Sequence, residues 1–206
     1  ELKLITCHLG NGSSFAAIKG GKVLDTSMGM TPLPGMIMGT RCGDIDPAII
    51  FFLARKGMSI DEIDNMLNKQ SGLMGINGVG SGDMRDTVNA AAQGKASAEN
   101  ALNMFGHRAA LYIGGYYTLL GGADAIIFTG GIGENSGPAR KAIISRLEAI
   151  GCELDDVKNK AQSGAISMIS TDKSKTPAII IPTNEELMIA RETFRLLSAQ
   201  MKEKGE

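Results

Sequence analysis

The chain has 206 residues, of which 43% are hydrophobic, so it is long enough for one large domain or two small ones with a substantial core. Its formal net charge of -1 argues against a protein that binds nucleic acid or an acidic membrane surface, since such proteins normally carry a basic excess. No apolar run approaches the roughly 20 residues that cross a bilayer. The three widely spaced cysteines are typical of free thiols in a reducing compartment, so we expect a cytoplasmic protein.

Three short strands open the chain, at residues 2–6, 14–18 and 22–26. A Gly20-Gly21 pair between the second and the third predicts a tight hairpin. We therefore expect three antiparallel strands at the start of the domain.

A glycine-rich turn connects the first two strands, with the sequence His-Leu-Gly-Asn-Gly-Ser-Ser at residues 8–14. Glycine has no Cβ, so the main-chain N–H groups of such a turn can approach a bulky anion closely. The short polar side chains of Asn11 and Ser13 suit phosphate oxygens, although an ordinary hairpin turn favours the same residue types. His8 is either a group in acid–base chemistry or a hydrogen-bonded structural residue.

A loop rich in glycine and proline follows at residues 28–43 and carries Arg41. A guanidinium on a rigid loop is suited to a developing phosphoryl or carboxylate charge. The alternative for Arg41 is a salt bridge to Asp44 or Asp46.

Helical patterns dominate the middle of the chain. Asp46-Pro47 is typical of a helix start, and Ser59 with Glu62 predicts a capping box for the next helix. The strongest pattern runs over residues 97–120, where apolar residues recur every three or four positions. The predicted apolar face of this helix consists of Leu102, Phe105, Ala109, Tyr112, Tyr116 and Leu119.

A glycine-rich segment at residues 78–82 leads into Asp83-Met84-Arg85. Asp83 is able to accept a hydrogen bond from a ribose or a base, and Arg85 is able to stack on a purine. A helix N-cap beside a solvated arginine would use the same two residues.

A second glycine-rich turn, Gly-Gly-Ile-Gly-Glu-Asn at residues 130–135, lies between a buried strand at 123–129 and a helix at 138–150. Three glycines in four positions favour close approach to a ligand such as a nucleoside, whereas a tight strand–helix connection needs only one. Two further strands are predicted at 166–170 and 178–181.

The last predicted helix runs over residues 184–204. Thr183 and Glu186 have the spacing of a capping box, which leaves Glu185 as the freer carboxylate. Glu185 either approaches Mg²⁺, directly or through water, or stabilises the helix dipole. One side of this helix is predicted to carry Leu187, Ala190, Phe194, Leu197 and Met201.

The order of elements is three strands, then helices, then β-α-β-β-α. We expect an α/β domain with a mixed sheet and flanking helices. Both glycine-rich turns follow the carboxyl ends of strands, where ligands bind in sheets of this kind. Two such turns indicate a nucleotide held from two sides.

Four segments together resemble the acetate kinase family, at residues 8–14, 25–47, 128–136 and 181–186. The resemblance covers essentially the whole chain, and the second segment is the most specific. It implies that residues 1–206 form the C-terminal nucleotide-binding domain of a protein in the superfamily of actin-like ATPases, sugar kinases and heat-shock chaperones. It also implies transfer of the γ-phosphoryl group of ATP to acetate, giving acetyl phosphate and ADP, with Mg²⁺ or Mn²⁺, in a homodimer.

The resemblance implies a role for each matching residue. Arg41 would stabilise the transferring phosphoryl group, and Glu185 would help to place the metal ion. Residues of the first turn would contact the nucleotide phosphates, and the others would surround the adenosine. The implied nucleotide-binding residues are His8, Leu9, Gly10, Asn11, Gly12, Asp83, Met84, Arg85, Gly131, Ile132, Gly133, Glu134 and Asn135.

The chain departs from the family in its length, which is about half that of a member. It opens at Glu1 in strand-like sequence, so we expect that residues precede it. The family's acetate-contacting arginine, catalytic aspartate and second transition-state histidine have no match here, and His107 is better explained as structural. We expect this chain to be inactive by itself. The alternatives are a propionate or butyrate kinase and a non-catalytic nucleotide-binding module.

Overall fold

The computed structural model describes residues 1–161 and 164–204, with residues 199–204 described by their backbone alone. A six-stranded mixed sheet forms the centre of these residues. Its strands are β1 (Lys3–Leu9), β2 (Ser13–Lys19), β3 (Lys22–Thr26), β4 (Ala125–Thr129), β5 (Ser167–Met168) and β6 (Ala178–Ile180).

The strands lie in the order β3-β2-β1-β4-β6-β5. β1 pairs antiparallel with β2 and parallel with β4, and β4 pairs parallel with β6. The carboxyl ends of β1, β4 and β6 therefore meet at one edge of the sheet. The expected antiparallel opening and the mixed sheet are both confirmed.

Helices flank the sheet. In chain order they are α1 (Ala48–Arg55), α2 (Ile60–Lys69), α3 (Gly72–Ile76), α4 (Met84–Ala92), α5 (Ala96–Leu120), α6 (Gly130–Asn135), α7 (Gly137–Ile144), α8 (Asp156–Lys160) and α9 (Glu185–Lys204).

The core lies between the sheet and the long helix α5. Alternate side chains of β1, namely Ile5, Cys7 and Leu9, are fully buried, as are Phe15 and Ala17 of β2. This period of two is what a strand with one packed face requires. The α5 helix packs against both strands and against α4 and α7.

The predicted apolar face of α5 is correct in its middle and wrong at its end, where Leu119 is exposed and Leu120 is buried. Small residues in the middle of α5 let the helix approach its neighbours closely. A Cβ at Gly106 would overlap the Ala142 carbonyl of α7. The buried residues of α5 are Ala98, Ala101, Phe105, Gly106, Ala109, Ile113, Tyr116 and Leu120.

The helix predicted at 138–150 is wrong in its second half, because α7 ends at Ile144. After Ser145 the N–H groups bond to carbonyls three residues back instead of four, which tightens the chain into turns. A short 3₁₀ helix follows and ends at Gly151, whose φ of 72° is left-handed.

The capping box of Ser59 and Glu62 is confirmed at the start of α2, where each side chain bonds to the other residue's main-chain N–H. The capping box of Thr183 and Glu186 is wrong. The Asn184 side chain caps α9 instead, accepting a hydrogen bond from the N–H of Leu187 at 3.0 Å.

Helix α9 exposes all of its described side chains from Glu185 to Leu197. Its predicted apolar side is therefore open to solvent, and Phe194 is 74% exposed. Met201, predicted for the same side, falls outside the described side chains. Across the described parts of the chain, none of the helices combines the length and the apolar character that a membrane span needs.

All three cysteines are free thiols, as the sequence predicts. Cys7 and Cys152 are buried, and burial raises the pKa of each. Burial likewise raises the pKa of Cys42.

Candidate functional site

A cavity of about 910 Å³ opens where β1 and β4 end. The first glycine-rich turn forms one wall, the start of α4 forms a second, and α6 with the start of α7 forms a third. The lining residues are Gly10, Asn11, Thr40, Gly82, Asp83, Met84, Arg85, Val88, Asn89, Gly131, Ile132, Asn135, Ser136 and Pro138.

The cavity thus brings together three segments that are far apart in sequence and that were each predicted to bind a ligand. Eight of its lining residues were predicted to bind a nucleotide: Gly10, Asn11, Asp83, Met84, Arg85, Gly131, Ile132 and Asn135. The other six were missed: Thr40, Gly82, Val88, Asn89, Ser136 and Pro138. Val88 and Asn89 lie on α4 within about a turn and a half of Asp83, so helical periodicity from Asp83 is the signal that could have found these two.

The first turn is packed against the loop that carries Arg41. The Gly39 N–H donates to the Asn11 carbonyl at 3.1 Å. A Cβ at Gly39 would overlap the Asn11 side chain and would lie 2.8 Å from the Gly82 carbonyl. Glycine at position 39 therefore lets three segments of the cavity wall meet.

Arg41 lies beside the first turn. A Cβ at Gly12 would be 3.1 Å from its Nη1 atom, and that nitrogen donates to the Pro32 carbonyl at 3.2 Å. Among the described residues no ion pair joins Arg41 to Asp44 or Asp46. The salt-bridge alternative for Arg41 is therefore wrong.

Asp44 has other partners. Its carboxylate accepts from the Gly35 N–H at 2.7 Å and from the Tyr112 hydroxyl at 2.5 Å, and Arg108 lies 3.6 Å away. Burial, followed by the bond to Asp44, raises the pKa of Tyr112. Asp44 thus ties the loop that carries Arg41 to helix α5.

Asp83 is the N-cap of α4, which is the alternative that the sequence left open. Its Oδ1 accepts from the Arg85 N–H at 2.8 Å, and its Oδ2 lies 2.5 Å from Arg85 Nη2. Hydrogen bonds from Arg85 hold the pKa of Asp83 below its ordinary value. Both residues still line the cavity, so capping and ligand contact are compatible roles.

The second glycine-rich segment forms α6 and not only a turn. Its first residue, Gly130, has a φ of 77°, which a residue with a side chain rarely adopts. A Cβ on Gly131 would meet no atom within 4 Å, so this position borders open space in the cavity. Gly133 is buried on the side of β1 and β4.

The Glu134 carboxylate lies between α6 and the segment after β6. Its Oε1 accepts from the main-chain N–H groups of Gly130 at 2.9 Å and Thr183 at 3.0 Å. The Thr183 hydroxyl donates to the same oxygen at 3.1 Å. The Glu134 carboxylate, which was predicted to contact the adenosine, therefore accepts hydrogen bonds from the protein itself, mainly from main-chain N–H groups.

Arg140 is a buried cation that was not predicted from the sequence; it is only 1% exposed. Its guanidinium donates to the carbonyls of Gly133 and Glu134, both at 2.9 Å, and to the side chain and carbonyl of Asn159. Desolvation lowers the pKa of Arg140 to about 10. Every one of these acceptors is uncharged, so Arg140 serves to hold α6 against α8.

His8 and Leu9 end β1 beside the cavity. His8 pairs with Ser14 of β2 and with Thr129 of β4, and Leu9 is fully buried. A Cβ on Gly130 would lie 3.2 Å from His8 Cε1, so His8 packs against the start of α6.

Glu185 is exposed at the start of α9. Within the described residues, no three or more histidine, cysteine or acidic side chains gather into a metal-binding group. One accessible carboxylate still fits Mg²⁺, which keeps several waters and uses one or two carboxylates together with substrate phosphates.

Comparison with known proteins shows the family of this chain. The model of the Acetokinase family matches residues 1–191. The chain belongs to the acetokinase family. The acetate kinase of Clostridium novyi (strain NT) is 58% identical over 198 residues, which are 96% of this chain and 49% of that protein.

Solved structures show the same likeness. The crystal structure of Porphyromonas gingivalis acetate kinase matches with a TM-score of 0.89 and 42% identity, over 95% of this chain and 49% of that chain. The crystal structure of a propionate kinase from Francisella tularensis subsp. tularensis SCHU S4 matches with a TM-score of 0.87 and 46% identity, over 93% of this chain and 49% of that chain. The family resemblance and the expected fold class are confirmed, and the acetokinase chain spans about half the length of the relatives it matches.

Proposed function

We propose that this chain is the C-terminal nucleotide-binding domain of an acetate kinase, which transfers the γ-phosphoryl group of ATP to acetate and yields acetyl phosphate and ADP. The observation that carries the proposal is the cavity between the two glycine-rich segments, with the Arg41 guanidinium beside the first of them. The family membership supports the reaction class.

The proposed pose follows from the walls of the cavity. The adenosine would lie between Gly131 on one side and Asp83 with Arg85 on the other. Gly131 leaves room for a flat ring, since a Cβ there would meet no atom within 4 Å beyond its own stretch of helix. The phosphates would extend along the first turn, at residues 8–12, toward Arg41.

Phosphoryl transfer of this kind needs alignment and charge neutralisation more than covalent chemistry by the protein. Arg41 would stabilise the charge that develops on the transferring group. Its place against Gly12, with the Pro32 carbonyl as one acceptor, holds the guanidinium before the substrate arrives.

Mg²⁺ or Mn²⁺, when bound, would neutralise phosphate oxygens and fix their geometry. We propose Glu185 as the carboxylate that helps to hold the ion, directly or through water. Glu185 is exposed at the start of α9, where a ligand can reach it.

The acceptor is proposed to be acetate, since acetate kinases are among the most similar relatives. Propionate is the second candidate, because a propionate kinase matches nearly as well in structure, with a TM-score of 0.87. The groups that would contact the acceptor are expected in the half of the relatives that this chain does not match.

We also propose a cytoplasmic homodimer. Exposed apolar side chains on α5, at Met104, Leu111 and Leu119, and on the edge strand β3, at Val23 and Leu24, support self-association. Analytical ultracentrifugation of the full-length protein should give a dimer at micromolar concentration, and a monomer at that concentration would contradict the proposal.

The test of the function is an assay of acyl phosphate formation by the full-length protein that contains this chain. Acetate, propionate and butyrate would compete for limiting ATP and Mg²⁺. We expect acetyl phosphate as the main product. Propionyl phosphate as the main product would support the second candidate, and nucleotide binding without any acyl phosphate would support a non-catalytic module.

A further inference from the structure

We propose that Glu134 is a positioning residue that holds the nucleoside cavity and the metal-side carboxylate Glu185 at a fixed separation. The inference rests on the proposed function, and it adds a residue that acts through the protein main chain and not on the ligand.

One oxygen of Glu134 joins two segments that are distant in sequence. Its three hydrogen-bond donors are the Gly130 N–H, the Thr183 N–H and the Thr183 hydroxyl, at 2.9, 3.0 and 3.1 Å. Gly130 opens α6 directly after β4, and Thr183 lies two residues before Glu185. The carboxylate therefore bridges the ends of β4 and β6 on the side where the cavity opens.

The sheet does not make this connection by itself. The ladder between β4 and β6 runs only from the pair of Ile126 and Ala178 to the pair of Phe128 and Ile180. One further bond joins the Ile181 N–H to the Phe128 carbonyl, and beyond it the Glu134 carboxylate continues the link between the two chain segments. Gly130 is buried at the start of α6, so leaving its N–H group without a hydrogen-bond acceptor would lower the free energy of unfolding.

Arg140 fixes the same short helix from behind. It donates to the carbonyls of Gly133 and Glu134, both at 2.9 Å, and is itself held by Asn159. The peptide groups on either side of the Glu134 Cα are thus restrained. Its side chain therefore reaches Thr183 from a rigid base.

The Glu134 bridge links the cavity to Glu185 through neighbouring residues. Gly131 and Asn135, on either side of Glu134 in α6, line the cavity. Thr183 leads through the α9 cap, Asn184, to Glu185. Loss of the Glu134 bridge would let α6 and the start of α9 move independently.

Loss of the Glu134 bridge should affect only the steps that need both α6 and the start of α9. Nucleotide binding without metal uses the cavity alone and should persist. Metal-dependent binding and turnover need the nucleotide phosphates and Glu185 at a fixed distance from each other. A displacement of about 1 Å can reduce turnover about 100-fold.

The test uses the full-length protein with Glu134→Ala and Glu134→Gln. ADP binding is measured by calorimetry with and without Mg²⁺, and kcat and KM for ATP are measured at several Mg²⁺ concentrations. For Glu134→Ala we expect kcat to fall about 100-fold, the gain in ADP affinity from Mg²⁺ to disappear, and metal-free ADP affinity to stay within about threefold of the unmodified protein, because the cavity lining is intact.

Glu134→Gln should recover most of this loss. Its amide oxygen can accept the same three bonds, and the weaker neutral acceptor should cost no more than about tenfold in kcat. Thr183→Val removes only the hydroxyl bond and keeps the main-chain one, so its effect should be intermediate. Both variants keep the proposal testable if Glu134→Ala does not fold.

Glu153→Gln is the matched control, because Glu153 also accepts from a threonine hydroxyl, that of Thr171 at 3.3 Å, but away from the cavity. Glu153→Gln should have the same kcat, the same ADP affinity and the same response to Mg²⁺ as the unmodified protein. The proposal is overturned if Glu134→Ala keeps its response to Mg²⁺, or if it loses metal-free and metal-dependent ADP binding equally. An unmodified protein that fails to bind ADP at all would instead overturn the proposed function.

Discussion

In the first glycine-rich turn, Gly12 faces the guanidinium of Arg41, whereas in the second segment Gly131 faces open space in the cavity. The first turn is held mainly by main-chain contact with a neighbouring loop, such as that between Gly39 and Asn11. The second is held by two side chains of opposite charge, Glu134 and Arg140. Gly12 therefore serves protein packing at one wall, and Gly131 leaves space for a ligand at the other.

We call the wall formed by the first turn the packed wall and the wall formed by α6 the open wall. The largest expected effect is at the packed wall. Arg41→Ala should lower kcat by about 100- to 1,000-fold with little change in KM for ATP, because the charge that Arg41 meets grows in the transition state. Steady-state kinetics of the full-length protein measures both constants. Arg55→Ala, at an exposed position on α1, is the control and should be neutral. An equal loss in kcat and in ATP affinity would contradict the role given to Arg41.

The open wall should respond differently. Gly131→Leu places a side chain in the cavity and should raise KM for ATP about 100-fold. Since the new side chain meets no atom of the protein at its first carbon, the free energy of unfolding should change by less than about 0.5 kcal/mol.

Ala54→Leu is the control for that substitution, because it adds a leucine side chain at an exposed position of α1 that does not line the cavity. It should leave KM for ATP unchanged. An unaltered KM in Gly131→Leu would show that the nucleotide lies elsewhere.

At the packed wall, Gly39→Ala should act through stability. Its Cβ would overlap Asn11 and lie 2.8 Å from the Gly82 carbonyl, and such overpacking lowers the free energy of unfolding by about 1–3 kcal/mol. Urea unfolding measures the loss. The double variant with Asn11→Gly should recover part of it, because only the Gly82 overlap then remains. Full stability in Gly39→Ala would contradict the close packing.

The smallest effect is expected at Asp83, whose pKa is held below its usual 3.8 by Arg85. A carboxylate with a lowered folded-state pKa adds stability that is present above pH 3.8 and is lost as the pH falls through the lower value. The difference in urea unfolding between the unmodified protein and Asp83→Asn should therefore shrink as the pH is lowered from about 5 to about 3. A difference that stays constant with pH would rule out this contribution.

Much of the fold could be predicted because local patterns and packing agree. The opening strands, the Ser59 capping box and the long helix α5 follow from periodicity and from turn residues. The end of α7 was mispredicted because apolar spacing continues past Ile144 while the main chain tightens into 3₁₀ turns.

The site was predictable where main-chain shape carries it. Glycine marks the walls of the cavity at Gly10 and Gly131, and Asp83 marks a helix start. The bonds of Glu134 to Thr183 and of Arg140 to Asn159 could not be predicted, because they join residues 49 and 19 positions apart. Contacts of that kind depend on how the strands are ordered in the sheet, which periodicity does not give.

The most direct test of the central claim is a crystal structure of the full-length protein with ADP and Mg²⁺. We predict that the adenosine lies between Gly131 and the pair of Asp83 and Arg85, with the diphosphate along residues 10–12 and pointing toward Arg41. An ADP molecule bound outside this cavity would contradict the prediction.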